Sequence, residues 1–164
     1  MRFKIKTSLS TLALVVALFS AATARAEIKI GDKAPALVGK DITGKDIDLS
    51  AMQGKTVIVA LWATWCEPCK AEMKMLREFY HQHEDAGIEI IALSLDRAND
   101  KKAVQKVAAK VDFTVAMASD AKTNGFEDNN TVPQTYVINA DGNVSAMFSD
   151  QPATEAELAK AITP

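Results

Sequence analysis

The chain has 164 residues, of which 48% are hydrophobic, enough apolar material for a core of ordinary size. Its 19 Lys and Arg against 21 Asp and Glu give a formal net charge of −2, which excludes the strongly basic surface that nucleic-acid binding needs. Two cysteines in all, separated by only two residues, exclude the multi-disulfide framework of small exported domains.

In chain order the first pattern is a leader. Arg2, Lys4 and Lys6 precede an apolar stretch over residues 12–19, and small residues end in Ala24-Arg25-Ala26. This predicts a secretory signal peptide over 1–26, cleaved after Ala26, and a single domain over 27–164. An uncleaved membrane anchor is the rival reading, but the apolar run falls short of the roughly 20 residues a spanning helix needs. Without Arg2, Lys4, Lys6 and Arg25 the mature chain holds 15 basic and 21 acidic residues, a net charge of −6.

Residues 27–55 are polar and turn-rich, with Gly31-Asp32, Thr43-Gly44-Lys45 and Gln53-Gly54-Lys55 bracketing short alternating runs, so a lead-in and a small hairpin are expected. Residues 57–62 form a continuous apolar run rich in β-branched residues, the pattern of a central strand buried on both faces. It runs into Trp62-Ala63-Thr64-Trp65-Cys66-Glu67-Pro68-Cys69-Lys70, where a helical pattern over 67–85 begins. A C-x-x-C pair at a strand-to-helix junction can close within one turn, and its first sulfur sits on unpaired backbone N–H groups that favour thiolate. The chemistry implied is reversible thiol-disulfide exchange. So short a loop removes little entropy from the unfolded chain, so stability is a poor reason for the pair. A zinc site is not expected, because His81 and His83 lie about 18 to 21 Å along the helix from Cys69. Neither a metal nor a cofactor is called for.

Cys69, Glu72, Met73, Leu76, Phe79 and Tyr80 recur on one largely apolar face of that helix. A carboxylate at Glu72 would be desolvated beneath Cys69, with a raised pKa, and able to take and return the Cys69 proton. The alternative is a first-turn Glu that favours the helix dipole and points to water. Residues 88–95 form a second buried strand after a right-handed crossover. Asn99 or Asp100 can cap a helix with Val104, Val107, Ala108 and Val111 inward and Lys102, Lys106 and Lys110 on a solvated face. A short strand at 113–117, an irregular stretch at 118–131, and a hairpin from 135–139 and 143–148 around Asp141-Gly142 follow. Thr154 and Glu157 make a capping box for a last helix ending near residue 162. The pattern is a three-layer α/β architecture with a mixed sheet and helices on both faces, its site at the C-terminal end of the first long strand.

The Trp62 to Cys69 motif, Gly44, Gly54-Lys55 and the strand after them, and Val132-Pro133-Gln134-Thr135-Tyr136 followed by Asp141-Gly142 resemble the thioredoxin-like proteins of the TlpA/ResA type, from about Gly31 to the end of the chain. The resemblance implies a thioredoxin fold with an N-terminal β-hairpin and an inserted helix-strand unit at 97–117. It also implies a cis bond before Pro133, facing the cysteines. Leu61, Ala60 and Gln134 depart from the usual pattern and bear on substrate choice. Cys66 is expected to be the nucleophile and Cys69 the resolving thiol. The resemblance supports Glu72 as the proton acceptor and Pro133 as the holder of backbone that pairs with an extended substrate. Trp65, Glu67, Pro68 and Val132 are the expected substrate-facing residues.

Glu67 between the cysteines disfavours a neighbouring thiolate, with no Lys or His in the dipeptide to offset it, which makes the pair more reducing. The expected function is an exported, monomeric thiol-disulfide reductase of the bacterial periplasm. By resemblance its clients are disulfide-containing proteins, such as apocytochrome c or proteins with metal-site cysteines, and a membrane thiol-electron transporter supplies its electrons. The competing readings are a disulfide oxidant or isomerase, separated by thiol pKa and potential, and a copper-handling binding protein, separated by stoichiometric Cu(I) binding without turnover.

Overall fold

The structure is a computed structural model and describes residues 27–126 and 131–163; the leader expected at 1–26 lies outside the described residues. In chain order the strands are β1 (Leu37–Lys40), β2 (Asp46–Asp48), β3 (Thr56–Trp62), β4 (Ile88–Ser94), β5 (Thr114–Met117), β6 (Thr123–Asn124), β7 (Gln134–Ile138) and β8 (Val144–Ser149). The helices are α1 (Glu67–Gln82), α2 (Lys101–Ala108) and α3 (Glu155–Ala161).

The two apolar runs become central neighbours. β3 and β4 pair in parallel from Thr56 opposite Ile88 to Trp62 opposite Ser94, joined by α1 as the crossover. β5 adds in parallel beyond β4, and β7 runs antiparallel to β3, giving the order β5-β4-β3-β7-β8. β7 and β8 form the expected hairpin, in which Gly142 takes φ 76 and its N–H donates to the Asn139 carbonyl at 2.8 Å.

Alternation along the strands sorts their side chains into two faces. Ile58, Ala60 and Ile90 pack against Leu76 and Phe79 of α1 and Leu158 of α3. On the same face Trp62 and Ala92 join Met73 of α1, Val104 of α2 and both cysteines. Val57, Val59, Leu61, Ile91 and Leu93 point the other way, onto Leu37, Ile47, Leu49 and Phe126. The three layers are therefore the described helices, the five-stranded sheet and a small sheet of order β2-β1-β6, so a sheet stands where helices were expected on the second face.

Two boundaries also differ from expectation. α1 stops at Gln82, where the His83 N–H donates to the Phe79 and Tyr80 carbonyls, and a separate 3-10 turn leads to Gly87 in the left-handed region. The stretch read as irregular contains β6, two residues that gain strand geometry from pairing with β1 and are too few to show a period. The α3 capping box is formed: the Glu157 N–H donates to Thr154 Oγ1 at 3.3 Å, and the Thr154 N–H donates to Glu157 Oε2 at 2.9 Å.

Candidate active site

β3 delivers the chain to the cysteines. The Leu95 N–H donates to the Trp62 carbonyl at 2.8 Å, carrying the parallel pairing one step past β4. The Cys66 N–H then donates to the Ala63 carbonyl at 3.1 Å, closing a turn whose end is the N-cap of α1. Cys66 has extended backbone there, and its Sγ accepts from the Cys69 N–H at 3.2 Å. Pro68 stands in the first turn, where its missing N–H costs no helical hydrogen bond, and it is exposed.

Cys66 and Cys69 form a disulfide, with Cα atoms 5.3 Å apart. The sulfurs are not equivalent: Cys66 is 6% exposed and Cys69 is fully enclosed. Incoming thiols and disulfides therefore meet Cys66 first.

Glu72 lies one turn beyond Cys69 on the buried face, 2% exposed, so the water-facing alternative does not hold. Burial pushes its carboxyl up from the ordinary carboxylate range, against two hydrogen bonds that favour the ionised form. Those are donated to Oε1 by Thr135 Oγ1 at 2.8 Å and by the Ala153 N–H at 3.0 Å. One oxygen thus ties α1 to β7 and to the segment before α3.

β7 brings the second motif to the same place. Leu61 opposes Gln134, so the antiparallel register carries Pro133 towards the end of β3 where the cysteine turn begins. The Val132–Pro133 bond is cis, as the resemblance implied. Pro133 is buried, and half-buried Val132 packs against the cluster that contains Trp62 and both cysteines. Trp65, beside Cys66, is 67% exposed, an uncommon placing for so large an apolar ring. Trp62 is buried, and its indole N–H has no hydrogen-bond partner among the described residues.

Glu67 requires a correction. Its carboxylate pairs with Lys70 at 2.8 Å, both side chains largely in solvent, so its charge is offset and screened. The unopposed negative charge read from the dipeptide is absent, because its partner lies one helical turn away. His81 pairs with Asp112 at 3.0 Å, and His83 stacks on Phe79, so each histidine has a local role away from the sulfurs.

Sequence reasoning missed Thr135, whose hydroxyl holds Glu72, although it stands inside the Val-Pro-Gln-Thr motif. It also missed Asp96, a 4% exposed carboxylate that accepts from the Thr64 N–H at 2.8 Å, Thr64 Oγ1 at 2.6 Å and Ser94 Oγ at 2.7 Å. A carboxylate closing an apolar strand beside the site end of the sheet was the available signal.

Comparison with known proteins agrees with this geometry. The model of the AhpC/TSA family matches residues 30–147. Over 120 residues the chain is 36% identical to the thiol-disulfide oxidoreductase ResA of a Bacillus cereus strain, covering 72% of this chain and 68% of the relative. The chain belongs to the AhpC/TSA family and, within it, to the ResA-type thiol-disulfide oxidoreductases. The ResA of Bacillus anthracis is 34% identical over 142 residues, covering 84% of this chain and 81% of that protein. A thiol:disulfide interchange protein of the thioredoxin family from Chlorobium tepidum superposes with a TM-score of 0.66 at 24% identity, covering 84% of this chain and 97% of that one, which shows the thioredoxin fold. A C-x-x-C pair joined as a disulfide accords with the thiol-disulfide oxidoreductases to which the chain belongs. Among the described residues no helix is long and apolar enough to cross a membrane.

Proposed function

We propose that the protein is an exported reductase that opens disulfides in other extracytoplasmic proteins. In this reading the Cys66 thiolate attacks a client disulfide; one client sulfur leaves as a thiolate and the other is held in a mixed disulfide. Glu72 takes the Cys69 proton, and the Cys69 thiolate attacks Cys66 Sγ, releasing the second client sulfur. Two electrons pass to the client, and the Cys66–Cys69 disulfide remains. Trp65 and Val132 offer the client an apolar platform, and backbone at the cis Pro133 receives its extended chain.

The buried Glu72 carries the choice of direction. Strong oxidants hold their reduced form stable by favouring thiolate, and a carboxyl group beneath the pair, ionised or not, supplies no positive charge for that purpose. Glu67 does not carry it, since Lys70 offsets its charge. A reductase in an oxidising compartment needs electrons from elsewhere, so a membrane thiol-electron transporter is the donor this function requires. The basic-apolar-small pattern of residues 1–26 supports export of a domain that starts at Glu27.

The test is the equilibrium reduction potential of the pair in the purified domain, read by tryptophan fluorescence in redox buffers. The expected value lies near or below about −270 mV, the thioredoxin level. A value near about −120 mV, the level of strong oxidants, would overturn the reductase in favour of disulfide formation.

A further inference from the structure

The turn that presents Cys66 is bolted to the sheet by a carboxylate outside both sequence motifs. Ser94 is fully buried in β4, opposite Trp62 of β3 and Met117 of β5, so its hydroxyl is as fixed as the sheet itself. It accepts from the Asp96 N–H at 3.1 Å and donates to Asp96 Oδ2 at 2.7 Å. The carboxylate set in this way takes both donors of Thr64, the backbone N–H at 2.8 Å on Oδ2 and the hydroxyl at 2.6 Å on Oδ1. Hydrogen bonds to an ionised acceptor are short and strong, and two of them on one residue fix its position and its rotation.

Thr64 is the second residue of the turn that the Cys66 N–H closes on the Ala63 carbonyl. Holding Thr64 therefore holds the direction in which the chain enters α1 and the place of Cys66 Sγ over the Cys69 N–H, 3.2 Å away. The field of a helix terminus falls off within its first turn, so a small drift of Cys66 forfeits much of the thiolate stabilisation. We infer that Asp96 is a positioning residue for the Cys66 nucleophile, acting through Thr64 to keep the sulfur at the N-cap of α1. This rests on thiol-disulfide exchange through Cys66 and is independent of the direction of electron flow.

The charge of Asp96 and its hydrogen bonds pull in opposite directions, which makes the inference testable. A bare negative charge near the site disfavours thiolate, so its removal speeds Cys66, whereas loss of the clamp slows it. The experiment is alkylation of the reduced protein by iodoacetamide across a pH range, with the modified cysteine located by mass spectrometry and folding checked by melting curves. Glu72, Glu67 and Lys70, the other charged groups about the pair, stay the same throughout. Thr64→Val keeps the carboxylate and removes the hydroxyl donor, and it is expected to slow Cys66 about tenfold at neutral pH. Asp96→Asn is expected to slow it to a similar degree, and Thr64→Ser to stay within about twofold of the parent. The Asp96→Asn/Thr64→Val double variant should be no slower than the slower single variant, since both break one clamp.

A part in folding alone would lower the melting temperature and leave the Cys66 rate of the folded protein unchanged. Wild-type rates in Thr64→Val, or a faster Cys66 in Asp96→Asn with Thr64→Val unaffected, would overturn the inference. If Asp96→Asn does not fold, Thr64→Val, which disturbs only a half-buried surface turn, decides the matter. Alkylation of Cys69 in place of Cys66 in the parent would instead remove the nucleophile reading itself.

Discussion

At the scale of single residues, Glu72 is where stability and chemistry conflict. Its carboxyl is buried and its pKa is raised in the folded chain above the ordinary 4.5. Below that value both folded and unfolded chains hold the proton, and the group carries no penalty. As pH rises through it the unfolded chain ionises first, and stability falls until the folded carboxyl also ionises. Glu72→Gln keeps an oxygen for Thr135 and Ala153 but cannot ionise, so its stability relative to the parent should rise as pH is taken from below to above the ordinary 4.5 in denaturant titrations. Its turnover should fall about 100-fold, the size of a lost general base, while alkylation of reduced Cys66 is not slowed. Unchanged turnover would remove Glu72 from the proton path. The helical spacing Cys69, Glu72, Met73, Leu76 made this residue visible in the sequence. Asp96 was not visible, because its partners Thr64 and Ser94 are brought to it by strand pairing, which a single helix period cannot report.

At the scale of elements, the small sheet must lie close against the chain at residue 121. A Cβ on Gly39 of β1 would stand 2.7 Å from Ala121 Cα, which is backbone, and β1 is held between β2 and β6 and cannot step aside. Gly39→Ala should therefore cost about 1 to 3 kcal/mol in denaturant unfolding, as overpacking does. A variant as stable as the parent would contradict this close approach. The same elements show what a sequence can and cannot reveal. β3 and β4 were legible because burial on both faces writes a largely apolar run rich in β-branched residues, and α3 because Thr154 and Glu157 spell out its cap. β6 was not, since two residues of strand exist only through their pairing with β1. The end of α1 was misjudged because residues 84–86 continue a helical pattern in the tighter 3-10 form.

At the scale of the whole molecule, the sheet brings together three segments distant in sequence. The turn after β3 carries Cys66, Pro133 immediately precedes β7, and the segment after β8 donates to Glu72 through Ala153. The described helices share one face and the small sheet covers the other, so the cysteines open at one end of the sheet, with Trp65 exposed beside them. In the proposed reaction the slightly exposed Cys66 meets the client and the enclosed Cys69 resolves the mixed disulfide. The direct test uses reduced Cys69→Ser and Cys66→Ser variants with a disulfide-bonded peptide, their products read by mass spectrometry. Cys69→Ser should stop at a mixed disulfide between Cys66 and the peptide, and Cys66→Ser should form none. A mixed disulfide through Cys69 of comparable yield would contradict the division of labour between the two sulfurs.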